Sequence, residues 1–181
     1  MGKIKTLETE RLILRELKEE DAEIVFKNWT SDDDVSKYVR WNTHKNVEET
    51  KEYLRYTEKR CKEEDNYYSW GIVIKDNKDL IGAISAFPGE NGRTEIGYNI
   101  SKKYWRNGYT TEALKRVLEY LTNEIGIHKY ICYHAILNPA SGAVMKKAGF
   151  KYVKDGTCQK FDGSITFVTK VYELDIDKRS Y

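Results

Sequence analysis

The apolar positions of this chain change period several times, and those changes divide it into elements. Between Leu7 and Leu17, Leu12 and Leu14 alternate with Arg11 and Arg15, the period of two that predicts a strand. Lys18-Glu19-Glu20-Asp21 then opens a helix, because acidic side chains favour a first turn, with Ile24, Val25 and Trp29 expected to face the core. Ser31-Asp32-Asp33-Asp34 reads as a second cap, ahead of Val35, Tyr38 and Val39. Asn46 to Lys62 is a highly charged helical pattern with Val47, Tyr53 and Leu54 as inner positions. Its Glu and Lys residues at i, i+4 form a solvated face rather than a binding surface.

From Tyr67 the period returns to two. Tyr67 to Ile74 is a strand, Lys75 to Asp79 a turn, and Leu80 to Ala86 the returning strand. Pro88-Gly89-Glu90-Asn91-Gly92 makes a second turn, and Arg93 to Ile100 completes an antiparallel meander. Ala113, Leu114, Val117, Leu118 and Leu121 then share one helical face, and this helix fades near Gly126. Tyr130 to Leu137 is mostly apolar and predicts a buried strand, in which His134 is a packed residue rather than a catalyst. Asn138-Pro139 fits the N-cap and first position of a short helix that stops at Gly149. Phe150 to Cys158 and Ile165 to Leu174 form a closing hairpin around Phe161-Asp162-Gly163-Ser164, and the polar tail Asp177 to Tyr181 is expected to fray. The order predicts one mixed α/β domain over residues 7–176.

Composition removes several function classes. Of 181 residues, 33% are charged and 40% apolar, as for a soluble globular protein, and a net charge of +2 points to no nucleic-acid or membrane surface. No apolar run approaches the roughly 18 residues of a membrane span. Cys61, Cys132 and Cys158 are odd in number and widely spaced, as expected of reduced thiols in a cytoplasmic protein. His44, His128 and His134 lack metal-ligand spacing, so no metal is expected.

The chemistry concentrates at Tyr104-Trp105-Arg106-Asn107-Gly108-Tyr109-Thr110-Thr111-Glu112, a short basic turn between a strand and a long helix. The first N–H groups of a helix have no intrahelical partner and the dipole there is positive, which suits a phosphate. Gly108 lets ligand oxygens approach the chain, and Lys102, Lys103 and Arg106 add positive charge. The same stretch also reads as an ordinary glycine turn before a core helix.

Three segments, in this order, resemble the GNAT superfamily of acetyl-CoA-dependent N-acetyltransferases. Thr9-Glu10-Arg11-Leu12-Ile13-Leu14-Arg15, with Asp21 after it, is similar to the TERLxLR opening of the RimJ/RimL-like branch. Tyr104 to Ala113 is similar to that branch's YWGKGYATEA, its form of the pyrophosphate loop. Asn138-Pro139-Ala140-Ser141, followed by Lys147-Ala148-Gly149-Phe150, is similar to NxxS…KxGF. Arg106 stands where the branch usually has Gly, and Thr110 where Gly or Ala is usual.

The resemblance implies a mostly antiparallel sheet of about seven strands flanked by helices, with the fourth and fifth strands splayed around pantetheine. It implies acetyl transfer from acetyl-CoA to an amine, either a protein N-terminus or a small amine such as a polyamine or aminoglycoside, by a monomer or homodimer. The main chain near Ile100 is expected to bond the pantetheine amides. The N–H groups of Arg106, Asn107, Gly108, Tyr109, Thr110 and Thr111 are expected to hold the pyrophosphate, and Asn138 both caps its helix and touches pantetheine. Glu95 is the candidate base or else a solvated strand carboxylate. Ser141 is the candidate acid or orienter of the CoA sulfur, or else a helix-capping hydroxyl. Many relatives carry a Tyr acid where Met145 stands, seven residues after Asn138. Trp29, Trp41 and Tyr38 are expected to line the acceptor side or to belong to the core. A CoA-binding module without transfer is the non-enzymatic alternative.

Overall fold

The structure is a computed structural model and describes residues 4–176; the tail expected to fray lies outside them. Eight strands form one sheet, one more than expected, because the first predicted strand is broken in two. β1 (Leu7–Glu8) and β2 (Leu12–Arg15) are separated by a turn in which the Thr9 N–H donates to Leu12 O at 3.0 Å. β3 (Tyr68–Ile74), β4 (Leu80–Pro88) and β5 (Thr94–Ile100) form the meander. β6 (Lys129–Ala135), β7 (Lys151–Gln159) and β8 (Thr166–Asp175) complete the order β1-β2-β3-β4-β5-β6-β8-β7.

Each face of the sheet buries its own set of helices. Leu12, Leu14, Ile72, Ile84 and Ile96 face α4 (Tyr109–Tyr120) and α5 (Pro139–Lys147) through Leu114, Val117 and Met145. Val73, Leu80 and Ala83 face α1 (Ala22–Val25) and α3 (Val47–Glu63), together with the π-helical turn Phe26–Thr30, through Val25, Leu54 and Trp29. The short α2 (Asp33–Ser36) lies between them, capped by Asp32, whose Oδ1 accepts the Asp34 N–H at 2.8 Å. Asn46 likewise caps α3 through the Glu49 N–H.

Some expectations shift. Val25 and Trp29 are buried, but Ile24 is 40% exposed, because it lies off the stripe formed by Ala22, Val25 and Trp29. Trp29 belongs to the core and does not line a site. The predicted strand 130–137 ends at Ala135; Ile136 and Leu137 form a turn in which Leu137 is 73% exposed. The π-helical turn Leu121–Ile125 extends α4 and stops at Gly126, whose φ of 84° needs no side-chain accommodation.

His134 is a packed residue, as its strand predicted. Its ring lies against Tyr172, and Nδ1 bonds the Ala135 carbonyl at 2.8 Å. α5 rests on this ring at Gly142, where an added Cβ would stand 2.5 Å from His134 Nε2. Gly142→Ala is therefore expected to destabilise the fold by roughly 1–3 kcal/mol, the usual range for overpacking. Thermal denaturation reads this, and an unchanged midpoint would show that α5 does not depend on that contact.

Candidate active site

β5 and β6 are parallel, and they pair only at Thr94↔Tyr130 and Glu95↔Ile131. Beyond this point each strand stays with its other neighbour. β5 follows β4 as far as Ile100↔Gly82, while β6 follows β8 as far as Ala135↔Thr169. The two therefore diverge, opening a wedge whose facing main-chain edges lack a strand between them. Its closed end is tied by Arg93, which bonds the Glu173 carboxylate of β8 at 2.8 Å and also pairs with Asp175. Just past the last rung, the Cys132 thiol donates to Ile96 O at 3.3 Å.

Side chains on β5 alternate across the wedge. Directly opposed residues of an antiparallel pair share a face. Ala83 opposes Asn99 and Phe87 opposes Glu95, which sets Glu95 and Asn99 on the α1–α3 face. Ile96, Tyr98 and Ile100 take the α4–α5 face. There the Tyr98 hydroxyl donates to Ser141 O at 2.9 Å and accepts from Ser141 Oγ at 3.1 Å, bridging β5 and the first turn of α5. Burial pushes the Tyr98 hydroxyl well above its ordinary pKa, nearby Cys132 adds to this, and the Ser141 bond opposes it. Asn138 caps α5 as expected, its Oδ1 accepting the Ser141 N–H at 3.4 Å. The Ser141 hydroxyl itself is engaged by Tyr98 and not by a helix N–H. Met145 is buried in the core and offers no proton.

At the open end of β5, Ile100 O accepts the Trp105 indole N–H at 2.9 Å. The chain then passes through a single turn, Lys102–Tyr104, into the loop before α4. Two loop residues are left-handed: Gly108 at φ 79° and Arg106 at φ 64°. The Gly usual at position 106 in the similar branch has a backbone reason, and Arg106 holds that conformation against its own Cβ. The Asn107 amide braces the loop by donating to Tyr104 O and Trp105 O at 3.1 and 3.0 Å. The first intrahelical bond of α4 runs from the Glu112 N–H to Gly108 O, so the Tyr109, Thr110 and Thr111 N–H groups precede the ladder and lack intrahelical acceptors. An open hollow of about 400 Å³ begins there, lined by Gly108, Thr111, Lys115 and Lys147 with the carboxylates of Glu10 and Glu112. This arrangement fits a diphosphate.

The first motif holds this loop in place, a link that separate motif matching did not reveal. Glu112 Oε1 accepts from Thr9 Oγ1 at 2.6 Å and from the Arg11 N–H at 3.0 Å, and its Oε2 accepts from Arg11 Nε at 2.7 Å. Arg11 also donates to Asn107 O at 3.1 Å and lies over the Tyr109 ring, 4.5 Å from its centroid. Partial burial raises the Glu112 pKa, but the Thr9 and Arg11 bonds outweigh it and hold the carboxyl below the usual range.

On the opposite face, a second hollow of about 470 Å³ contains Glu95, Glu90, Arg40, Tyr133 and Cys158. Burial raises the Glu95 carboxyl to about 7; Arg40 works against the rise and Glu90 adds to it. The structure thus separates the expected site residues into two groups. Arg106 to Thr111 surround the helix start, and Ser141 and Asn138 stand at the far side of the wedge. Glu95 marks the last rung and looks into the second hollow. Tyr98, Arg11 and Arg40 went unassigned in the sequence because their roles depend on partners 43 to 119 positions away.

Residues 11–151 match the Acetyltransferase (GNAT) domain family, and the chain belongs to that family of N-acetyltransferases. The uncharacterized N-acetyltransferase YoaA of Bacillus subtilis (strain 168) is 32% identical over 177 residues, covering 93% of this chain and 95% of its own. The fold is shared with RimL, the ribosomal L7/L12 alpha-N-protein acetyltransferase in complex with coenzyme A, at a TM-score of 0.82 and 16% identity over 96% of this chain and 99% of that one. It is also shared with the ribosomal-protein-S5-alanine acetyltransferase from Vibrio fischeri, at a TM-score of 0.81 and 15% identity over 98% and 100%. The sheet and its parallel splayed pair are those the family resemblance implied. Among the described residues, no group of three or more His, Cys, Asp or Glu side chains is placed to hold a metal, and no helix is long and apolar enough to cross a membrane.

Arg106→Gly separates the loop's two demands. Relief of the left-handed strain is expected to raise stability by up to about 1 kcal/mol, while loss of the guanidinium weakens acetyl-CoA binding. Parallel melting and calorimetric titration test this, and a lower melting temperature would contradict the strain.

Proposed function

We propose that residues 7–176 form one transferase domain that acetylates the α-amine of a protein N-terminus, with Glu95 as its general base. The observation carrying this reading is Glu95 itself, a carboxyl of pKa about 7 at the last rung of the diverging pair and open to the second hollow. The helix-start loop lies at the other end of the same strand, about 17 Å away at the usual strand rise. A chain of pantetheine dimensions running beside β5 thereby links the phosphate cradle to the base.

The N–H groups of Arg106 through Thr111 hold the pyrophosphate, and the main chain near Ile100 and the Asn138 side chain meet the pantetheine amides. Acetyl-CoA supplies the thioester. Glu95 takes one proton from the acceptor ammonium and passes it to solvent, which leaves a neutral amine. A nitrogen–carbon bond forms at the thioester carbonyl, and the carbon–sulfur bond breaks with its electron pair going to sulfur. The second proton leaves the nitrogen as the amide forms and balances the one that neutralises the thiolate. Ser141, held by Tyr98, orients the sulfur; its hydroxyl turns from Tyr98 to give the thiolate its proton and takes up in exchange the one the nitrogen releases.

The base selects its acceptor by acidity. An N-terminal ammonium has a pKa near 8 and loses its proton to a carboxylate of about 7 at little cost, whereas lysine or polyamine ammonium groups near 10.4 cost about 3 kcal/mol more. The ribosomal-protein acetyltransferases of the same fold support this choice.

Glu95→Gln is expected to lower kcat by roughly 10²–10⁴-fold and to remove the acidic limb of the pH profile near pH 7. It also has a stability signature. A carboxyl whose folded pKa is raised contributes stability that is present below its unfolded pKa and is lost as pH rises through about 7, so the substitution should stabilise more at pH 8 than at pH 5. Equal kinetics would remove Glu95 from the reaction. Gly108→Val forces a β-branched residue to φ 79° and is expected to weaken coenzyme A binding at least about tenfold with the fold retained. Unchanged affinity by calorimetry would displace the pyrophosphate from this loop.

A further inference from the structure

The wall of the second hollow is built by an unusual lock. The β7–β8 turn folds over the segment that follows α2, and Lys160 at its base is buried. The Lys160 ammonium donates to Ser36 O at 2.9 Å and to Trp41 O at 2.8 Å. The Phe161 N–H donates to Arg40 O at 2.7 Å, and the Asn42 amide donates to the Asp162 carboxylate at 2.6 Å. Burying an ammonium is costly unless its protons find acceptors, and here two of the three do. The turn and the segment therefore form one rigid unit.

Arg40 is the side chain this unit presents. Its Nε donates to Gln159 O at 3.2 Å, and its guanidinium carbon lies 4.7 Å from the centroid of the Phe161 ring. Backbone and side chain are thus both anchored to the turn. The terminal guanidinium nitrogens have no ion-pair partner among the described residues, although Glu90 and Glu95 line the same hollow. Arg40 is exposed, tethered at Nε and over the Phe161 ring, and its terminal N–H fork, without a carboxylate of its own, is open to an external anion. A hollow built for a polycation would not place a fixed guanidinium beside its base, because like charges repel the substrate.

We propose that Arg40 determines acceptor specificity, and that the preferred acceptor carries a carboxylate close to the amine that reaches Glu95. This rests on the transfer reading above; for a protein N-terminus it means an acidic side chain in the first few residues. A free amino acid presents the same pair of groups. Thr157, Gln159 and Thr166 complete a polar wall suited to such a short, hydrogen-bonding segment.

The test is steady-state acetylation by the full chain of peptides differing only at the second residue, Ser-Glu, Ser-Gln and Ser-Lys, alongside free glutamate and spermidine. The wild type is expected to prefer Ser-Glu over Ser-Gln by about tenfold in kcat/KM, the size of one charge-assisted contact. The difference should lie in the acceptor's KM. Arg40→Met should bring that ratio close to one, and Arg40→Lys should keep part of it. Circular dichroism and acetyl-CoA titration establish that both variants are folded. A ratio near one in the wild type, or a ratio unmoved by Arg40→Met, overturns the proposal. Fastest turnover on spermidine overturns it while leaving acetyl transfer intact. Glutamate outpacing every peptide, with an Arg40-dependent KM, supports the anion site and removes the protein N-terminus as acceptor. No turnover on any acceptor overturns both readings.

Discussion

The structure depends on a hydrogen-bond ladder that stops after two rungs. β5 is committed to β4 along its whole length and β6 to β8 along its whole length. Their pairing to each other nonetheless stops at Glu95, and beyond it the facing edge of each is left without the other. A parallel pair also lacks a hairpin to hold it in register, so Arg93 closes one end through Glu173 and Asp175. What results is a wedge with unmatched main-chain groups on both sides, a place where an extended ligand can supply the missing strand. The Tyr98–Ser141 bridge limits how far α5 can swing from β5.

At the open end of β5 the loop before α4 carries two left-handed residues, one of them Arg106, which gains nothing from that conformation by itself. Such a backbone persists when its surroundings over-determine it. Here they do so through Arg11, Glu112, Asn107 and the Tyr109 ring. The N-terminal motif and the loop motif are two halves of one brace, and the proposed phosphate cradle is preorganised by a segment about a hundred positions away in sequence. The exposed ion pairs along α3 stand in contrast: solvated and individually weak, they support a helix without shaping a site.

The proposed base owes its character to position. Glu95 sits where the sheet is still paired, so it is buried enough to lose solvation, yet it faces a hollow that admits a substrate. Arg40 moderates the resulting rise in pKa without forming an ion pair that would cancel it. A carboxylate fully paired with Arg40 would be too weak a base, and one further out on the open part of β5 would be better hydrated. The same guanidinium therefore lowers the Glu95 pKa and lines the hollow into which the proposed acceptor would enter.

The sequence by itself determined the element order, because the turn residues between β3, β4 and β5, the alternation in β2 and the three-to-four spacing in α4 are local signals. It also determined the helix starts at Asn46 and Asn138, the fading of the α4 helix near Gly126, and the family, since turn and cap chemistry is local. It missed the break between β1 and β2, the early end of β6 at Ala135 and the exposure of Ile24, where tertiary packing decides which apolar residues are needed. Tertiary structure alone decided that Trp29 is core, that Ser141 bonds Tyr98, that Glu112 is held by Thr9 and Arg11, and that Arg40 and Glu95 line one hollow. Each of these joins residues tens of positions apart, and a one-dimensional pattern carries no term for which side chains the sheet will bring face to face.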